Sequence, residues 1–431
     1  SQIGVYASHF PEAVSAIPER HRDMPYRVFF RLVAARLQAT YDDSAFPYES
    51  PDEFIQDIVL IEDSLRANKG RNAGLFSVKR LRRRAETFEF HIATLDLRQN
   101  AVVHRGVIGE GLKEHGWFES SVEVRTERLK EALDRRESAI GSLSSGARRT
   151  LSVFKAISHC RRKYGINSIG PYIVSMAHGP DDILSVLLLA KWGDLGPKGA
   201  PVPLDVVPLF ETIEDLENSS VIMENLLSDP IYRAHLEHRG NHQMVMIGHS
   251  DSNKDDGLAA ARWTLHNAQK SLVEILNKFN IRLTLFHGRG GTVSRGGGRL
   301  HDAILASPPG AIMGRLRMTE QGDVINAKYG LKTIAMRSLE QTVASVLSVT
   351  ARHDKPYQAT ENRREIMGEI SEVSRQAYKN MVYDQEKFPD YFRRATLSPV
   401  KKGIKLLVLL VLVGCGKDKT ETSQPRENFN A

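Results

Sequence analysis

The sequence predicts an α/β protein, a (β/α)8-type barrel with extensive additional helices, and three observations favour this class. Short apolar runs of strand length alternate with stretches of helical periodicity, an order typical of parallel strands joined by helical crossovers. Charged side chains stand at or just past the C-terminal ends of four predicted strands: Arg98, Glu211, Asp251 and Arg289. Catalytic side chains converge at that end of a barrel, and a doubly wound sheet follows the same rule at its switch point. We prefer the barrel because residues from at least four strands must meet in one place.

The predicted elements divide the chain into four regions. Residues 1–84 are expected to be helical, since apolar residues recur there at spacings of three and four. Residues 85–330 form the predicted barrel core, with strands at 90–97, 171–177, 205–210, 244–247 and 283–286 and helices at 122–137, 181–192, from 213, and 258–279. Residues 331–396 are expected to form a C-terminal helical region, with a buried stripe of Leu339, Val343, Val346 and Val349.

The last region, residues 397–431, is predicted to be an aberrant, disordered tail. Its segment 401–416 has a basic start, a short apolar run and a Val-Gly-Cys sequence, as a bacterial lipoprotein leader has at the front of a chain. The apolar run is too short to span a bilayer. We therefore expect this tail to derive from a neighbouring reading frame or a truncation. The first residue is Ser1 rather than Met, and we expect the chain to be a fragment.

The composition is that of an ordinary globular protein with a mild positive charge. Hydrophobic residues make up 41% and charged residues 26% of 431 residues, and the net charge is +7. This charge suits an anionic small substrate as well as nucleic acid. The two cysteines, Cys160 and Cys415, lie far apart, so neither a disulfide framework nor a cysteine metal site is predicted. Cysteine usage thus favours a cytoplasmic protein.

A glycine- and arginine-rich segment, residues 287–299, follows the predicted strand 283–286, and we call it the Gly/Arg loop. Its six glycines allow backbone N–H groups to approach an anion, and Arg289 and Arg295 add bidentate donors for phosphate or carboxylate. The alternatives are a disordered nucleic-acid-binding tract or a plain connection. The segment occurs once and behind a clean strand, so an anion-binding loop is favoured.

Two carboxylates at successive strand ends, Glu211 and Asp251, are predicted to share a hard divalent cation. Mg²⁺ and Mn²⁺ prefer oxygen ligands and keep several waters, which leaves room for substrate oxygens. Arg98 and Arg289 are expected to grip a phosphate. His287 is either a packed histidine or a catalytic base, and Lys254 is either a second anion contact or the partner of Asp255 or Asp256.

Four motifs at these residues resemble the phosphoenolpyruvate carboxylase family. They are F-H-G-R-G-G-T-V-S-R-G-G-G at 286–298, H-S-D-S-N-K-D-D-G at 249–257, P-L-F-E-T at 208–212 and L-D-L-R-Q at 95–99. They occur in the family's order and at compatible spacings, and the resemblance covers residues 1–396.

The resemblance implies carboxylation of phosphoenolpyruvate by bicarbonate, which yields oxaloacetate and phosphate and requires Mg²⁺ or Mn²⁺. In that reaction bicarbonate attacks phosphorus to give carboxyphosphate and an enolate, and the carbon dioxide released captures the enolate. The resemblance further implies a homotetramer that binds neither nucleic acid nor membrane. The resemblance also implies a role for each site residue. Glu211 and Asp251 would be the metal ligands, and Arg98 and Arg289 would bind the phosphate. His287 would be an active-site histidine and Arg295 a mobile-loop arginine.

The sequence departs from the family pattern at His249, Asp256, Ser294 and Arg299, where the family usually has Tyr, a small residue, Gly and Pro. It also lacks the family's T-A-H-P-T-E motif and the basic Ser-Arg-Pro segment that supplies a further phosphate arginine. We therefore expect the chain alone to have little or no carboxylase activity. The rival interpretations are another metal-dependent lyase or mutase acting on phosphoenolpyruvate or a related enolate, and a nucleic-acid binder.

Overall fold

The computed structural model describes residues 2–197, 199–292, 297–352 and 361–395. Arg295 and the predicted tail 397–431 lie outside the described residues. No described helix combines the length and the apolar character that a bilayer crossing needs.

The N-terminal region is helical and has a core of its own. Tyr6, Phe29, Leu32 and Ile58 pack together in a buried cluster of this region. Pro25 and Pro51 each occupy the first turn of a helix, where their missing N–H has no intrahelical partner to lose. The helices of this region are α1 (Gln2–His9), α2 (Pro11–Ser15), α3 (Pro25–Asp42), α4 (Pro51–Ala67) and α5 (Leu75–Phe88).

One parallel sheet follows, and its six strands lie in chain order, each beside its sequence neighbours. A doubly wound sheet would reverse its order at a switch point, and no reversal occurs among the described strands. The predicted α/β class with parallel strands is confirmed, while a closed barrel of eight strands stays a prediction. The strands are β1 (Leu95–Asn100), β2 (Ile169–Ser175), β3 (Val206–Phe210), β4 (His242–Gly248), β5 (Arg282–Gly288) and β6 (Arg317–Met318).

The sheet is strongly curled, as a barrel requires. Arg317 on the sixth strand forms an ion pair with Asp96 on the first, with Nη2 2.5 Å from Oδ1 and 2.6 Å from Oδ2. In a flat sheet these strands would lie about 24 Å apart, five steps of about 4.8 Å, which is beyond the reach of the two side chains. The inner face between them holds an apolar cluster of alternating strand residues: Ile173, Val207, Leu209, Met244, Met246 and Phe286.

Helices cover the outer face of the sheet and bury most of the core against it. Helix Pro180–Trp192 is buried nearly all round because helices pack on several sides of it. The helices of this layer are α6 (Ala101–Leu112), α7 (Val122–Asp134), α8 (Ser145–Tyr164), α9 (Pro180–Trp192), α10 (Ile213–Ser228), α11 (Pro230–His238), α12 (Ser250–Asp256) and α13 (Leu258–Lys278).

The C-terminal region is also helical, but the buried stripe predicted there is wrong. Leu339 is 50% exposed and Val343 is 56% exposed. Ser345 is instead the buried residue of this helix, because the helix packs on its neighbours through the face that bears Ser345. The helices of this region are α16 (Lys332–Thr350), α17 (Glu361–Val382) and α18 (Phe388–Ala395), while α14 (Leu300–Leu305) and α15 (Gly322–Tyr329) precede it, before and after β6.

Candidate active site

The C-terminal edge of the sheet brings Arg98 and Glu211 into direct contact. Arg98 lies on β1, and alternation along that strand directs it to the same face as Asp96, while Leu97 packs against the outer core. Glu211 is the first residue after β3. The Arg98 Nη2 donates to Glu211 Oε1 at 2.8 Å and to Oε2 at 2.9 Å. The predicted phosphate grip and the predicted metal ligand are therefore partners in this structure.

Asp251 reaches the same edge on the short helix α12, which begins directly beyond β4. The backbone of Gly248 lies so close to Glu211 that a Cβ at position 248 would stand 3.0 Å from the Glu211 Cα. This close approach brings the start of α12 beside Glu211. On the helix, the Lys254 Nζ donates to Asp251 Oδ1 at 2.7 Å, and both side chains are about half exposed, 52% and 44%. The predicted pairing of Lys254 with Asp255 or Asp256 is wrong, because residues three apart on a helix are neighbours and Lys254 pairs with Asp251 instead.

The electrostatics of Glu211 are those of a buried acid beside another acid. Burial raises the pKa of Glu211, the charge of Asp251 raises it further, and Arg98 opposes both effects. The Glu211 side chain is 13% exposed. Two neighbouring carboxylates in such a place repel each other, and a divalent cation between them would relieve the repulsion.

The donor set fits a hard cation that keeps water ligands. The described residues contain no group of three or more His, Cys, Asp or Glu side chains that could hold a metal ion. A site built from Glu211 and Asp251 would leave the remaining positions to water and substrate oxygens, as Mg²⁺ and Mn²⁺ accept. To ligate a metal, the two acids would exchange their present contacts with Arg98 and Lys254.

As the pH is lowered, we expect the Mn²⁺ affinity to begin to fall at a higher pH than it would with an ordinary glutamate, whose pKa is about 4.3. The folded chain binds the Glu211 proton more tightly than the unfolded chain does, so ionisation of Glu211 costs folding free energy as pH rises through its raised pKa. As the pH is lowered, protonation of Glu211 removes the negative charge with which it would bind the cation. Electron paramagnetic resonance of free Mn²⁺, from about pH 4 to about pH 8, measures the profile. An affinity that stays flat until ordinary carboxylates protonate would contradict the raised pKa.

His287 lies beside His249 rather than in the Arg98–Glu211 contact. Their ring centroids are 5.8 Å apart, and neither Nε2 has a hydrogen-bond partner within the described ranges. Alternation along β5 sends Phe286 to the inner cluster and His287 to the opposite side, with Leu285. Burial lowers the pKa of His287 to about 4, and burial also lowers that of His249 to about 3. Both imidazoles are thus neutral near pH 7.

Arg289 is the first residue after β5 and lies at the same edge of the sheet, in the Gly/Arg loop. Thr319 Oγ1 donates to the Arg289 main-chain oxygen at 2.8 Å and fixes the start of the loop. Burial lowers the pKa of Arg289, the charge of Arg262 lowers it further, and Glu320 raises it. The cavity beside Arg289 measures about 40 Å³, enough for about one water molecule. Arg295, predicted for the same loop, lies outside the described residues.

Sequence reasoning missed other charged contacts at or near this edge. His178 follows β2, and its Nδ1 lies 2.9 Å from Asp215 Oδ1. The hydrogen bond that His178 donates to the Asp215 carboxylate raises the pKa of His178. The sequence did contain a signal that places Asp215 near this edge, since Asp215 is the third residue after Thr212 and completes a capping box at the start of α10. The Asp96–Arg317 pair had no such signal, because β6 has only two residues.

Comparison with known proteins decides the family. A model of the family described as Phosphoenolpyruvate carboxylase matches residues 2–406, which is most of the chain. The chain belongs to the phosphoenolpyruvate carboxylase family. The resemblance seen in the four motifs is thereby confirmed.

Curated relatives of that name cover this chain almost fully, but this chain covers less than half of them. The phosphoenolpyruvate carboxylase of Xanthomonas euvesicatoria pv. vesicatoria (strain 85-10) is 44% identical over 396 residues, which are 92% of this chain and 44% of that protein. That of Nocardia farcinica (strain IFM 10152) is 40% identical over 408 residues, 88% of this chain and 44% of the relative. That of Mycobacterium leprae (strain TN) is 39% identical over 397 residues, 87% and 42% respectively.

Proposed function

We propose that this chain forms the metal-binding and phosphate-binding part of an active site that carboxylates phosphoenolpyruvate with bicarbonate to give oxaloacetate and phosphate. One observation carries the proposal: at the C-terminal edge of a curled parallel sheet, Arg98 of β1 contacts Glu211 just past β3, and Asp251 beyond β4 lies close enough for its charge to raise the pKa of Glu211. Because the chain belongs to the phosphoenolpyruvate carboxylase family, we assign these charged residues to the metal site and the phosphate site of that reaction.

In this proposal the arginines bind the substrate phosphate. Arg98 is half exposed, with 50% of its side chain accessible, and its planar guanidinium presents further N–H donors besides those it gives to Glu211. Arg289 follows β5, four strands further along the same edge than Arg98, in a site whose partial burial strengthens its interaction with an anion. Together they hold and neutralise the phosphate of phosphoenolpyruvate, and Arg295 holds bicarbonate.

In this proposal the two carboxylates bind the divalent cation. Glu211 and Asp251 would hold Mg²⁺ or Mn²⁺, which when bound stabilises negative charge developing on the enolate-like oxygen. A Glu211 side chain that held the cation would leave Arg98, whose guanidinium would then be available to the substrate phosphate. His287, neutral near pH 7, would act as the active-site histidine by hydrogen bonding rather than as a cation. Assembly as a homotetramer and a cytoplasmic location belong to the same proposal.

A chimera tests the proposed reaction, since this chain spans 44% of its Xanthomonas relative. In the chimera the matched segment of this chain replaces the corresponding segment of that relative. We expect it to fix labelled bicarbonate into oxaloacetate only when phosphoenolpyruvate is present, and we expect the 431-residue chain alone to fix little or none. The chimera that carries Glu211→Gln is the matched negative control.

Three outcomes separate the alternatives. Label fixation by the isolated chain would contradict the expected incompleteness. Consumption of phosphoenolpyruvate by the chimera without fixation of label would favour a lyase or mutase. A folded chimera that neither consumes phosphoenolpyruvate nor fixes label would contradict the proposed function itself.

A further inference from the structure

Helix α12 carries the predicted metal ligand Asp251 and is too short to hold its own position. It has seven residues, and isolated helices of that length are not stable in water. Its placement therefore depends on what it packs against. Successive helical residues turn by about 100°, so Asp251 and Asp256, five residues apart, point about 140° away from each other. Asp251 reaches the site on one side of the helix while Asp256 reaches a different neighbour on another.

That neighbour is α17, the long helix of the C-terminal region. The Asp256 side chain is only 4% exposed, and each of its oxygens has a cation from α17. Arg375 Nε lies 2.7 Å from Oδ2, an ion pair in which the N–H is not aligned with the oxygen. Lys379 Nζ lies 3.1 Å from Oδ1. A buried carboxylate with two cations is costly to break, because removal of one partner leaves uncompensated charge.

Two further contacts fix the C-terminal half of α12 against the same region. Tyr383 donates from Oη to the main-chain oxygen of Lys254 at 2.6 Å. Gly257, which ends the helix with a φ of +79°, lies against the ring of Tyr378, and a Cβ there would stand 2.9 Å from the ring Cγ. The C-terminal end of α12 is thus seated on α17 and the residues just after it.

Helix α12 is also tied to the segment just beyond Glu211. Asp255 Oδ2 accepts a hydrogen bond from the main-chain N–H of Ile213 at 3.3 Å, two residues beyond Glu211. Arg375 also reaches α10, where its Nη2 donates to Glu217 Oε1 at 3.3 Å. The separation of Glu211 and Asp251 is therefore set by a short helix held between α10 and α17.

We propose that Asp256 is a positioning residue: its ion pairs with Arg375 and Lys379 seat α12 on α17 and keep Asp251 beside Glu211. The inference rests on the proposed divalent cation site and adds a remote set of residues that controls it. Substitution of Asp256 would weaken cation binding although Asp256 itself does not touch the cation.

The test compares Asp256→Asn with a matched control, Glu62→Gln. Glu62 is also a buried carboxylate between two arginines, Arg66 and Arg82, but it lies in the N-terminal region. The Mn²⁺ dissociation constant is measured by electron paramagnetic resonance, and amide hydrogen exchange is measured over residues 249–257. We expect Asp256→Asn to raise the dissociation constant about tenfold, as supporting residues of metal ligands do, and to speed exchange in α12. Glu62→Gln is expected to lower the melting temperature and leave both quantities unchanged.

Further variants keep the inference testable if Asp256→Asn does not fold. Arg375→Gln removes one of the two cations and is expected to shift the dissociation constant in the same direction by less, while Arg375→Lys is expected to stay near the unsubstituted chain. A dissociation constant unchanged in both Asp256→Asn and Arg375→Gln overturns this inference alone. Absence of Mn²⁺ binding by the unsubstituted chain overturns the proposed metal site and, with it, the effect inferred for Asp256.

Discussion

Glu211→Gln is expected to weaken Mn²⁺ binding on the order of 100-fold or more, a larger loss than a supporting residue produces. Glutamine keeps the shape of the side chain and removes the charge, so the site would lose one of its two anionic ligands. Asp251 would remain, but it is half exposed and already paired with Lys254, so it would bind the cation weakly by itself. Free Mn²⁺ measured by electron paramagnetic resonance gives the dissociation constant directly.

The control for this substitution is Glu224→Gln. Glu224 belongs to an exposed ion pair with Lys278 at 2.5 Å, and its removal takes the same charge from the protein surface. Exposed pairs of this kind contribute about 0–1 kcal/mol to stability, so the control should fold normally and bind Mn²⁺ like the unsubstituted chain. Equal Mn²⁺ affinity in Glu211→Gln and in the control would place the cation elsewhere.

Arg289→Gln is expected to weaken binding of phosphoenolpyruvate by about 10- to 100-fold, since a hydrogen bond to a charged group is worth about 1.5–3 kcal/mol. The guanidinium is partly buried, so its attraction for a phosphate is less screened than at the surface. Arg289→Lys should recover only part of the loss, because the ammonium keeps the charge but not the planar fork. Equilibrium dialysis with labelled phosphoenolpyruvate, in the presence of Mg²⁺, measures all three proteins.

Arg282 provides the matched control on the same strand. It is the first residue of β5, at the edge of the sheet opposite to Arg289, and it is exposed. Arg282→Gln removes the same charge and should leave phosphoenolpyruvate binding unchanged. If Arg282→Gln and Arg289→Gln weaken binding equally, the effect is one of net charge and Arg289 makes no direct contact.

The sequence predicted the part of the fold that repeats along the chain. Apolar runs and helical periodicity are local signals, and they located five of the strands, although β1 runs from Leu95 to Asn100 rather than over 90–97. The sixth strand escaped because two residues carry no period. The prediction of a buried stripe on α16 failed because helical periodicity indicates an apolar face but does not indicate whether other described residues cover that face.

The candidate site was predicted to the level of strand ends and not to the level of contacts. The rule that parallel strands share a C-terminal edge was enough to bring Arg98, Glu211 and Asp251 together. It did not predict that Arg98 would donate to Glu211, because that contact depends on side-chain reach across β2. The place of His287 beside His249 likewise depends on which side of β5 the side chain takes. The roles assigned to these residues stay predictions.

A crystal structure of the chain soaked with Mn²⁺ and phosphoenolpyruvate, with anomalous data collected at the manganese edge, tests the shared site most directly. We predict one manganese peak between Glu211 and Asp251, and the phosphate within reach of Arg98 and Arg289. A structure in which Glu211 stays bonded to Arg98 and Asp251 to Lys254, while manganese and substrate bind at another face of the sheet, would contradict it.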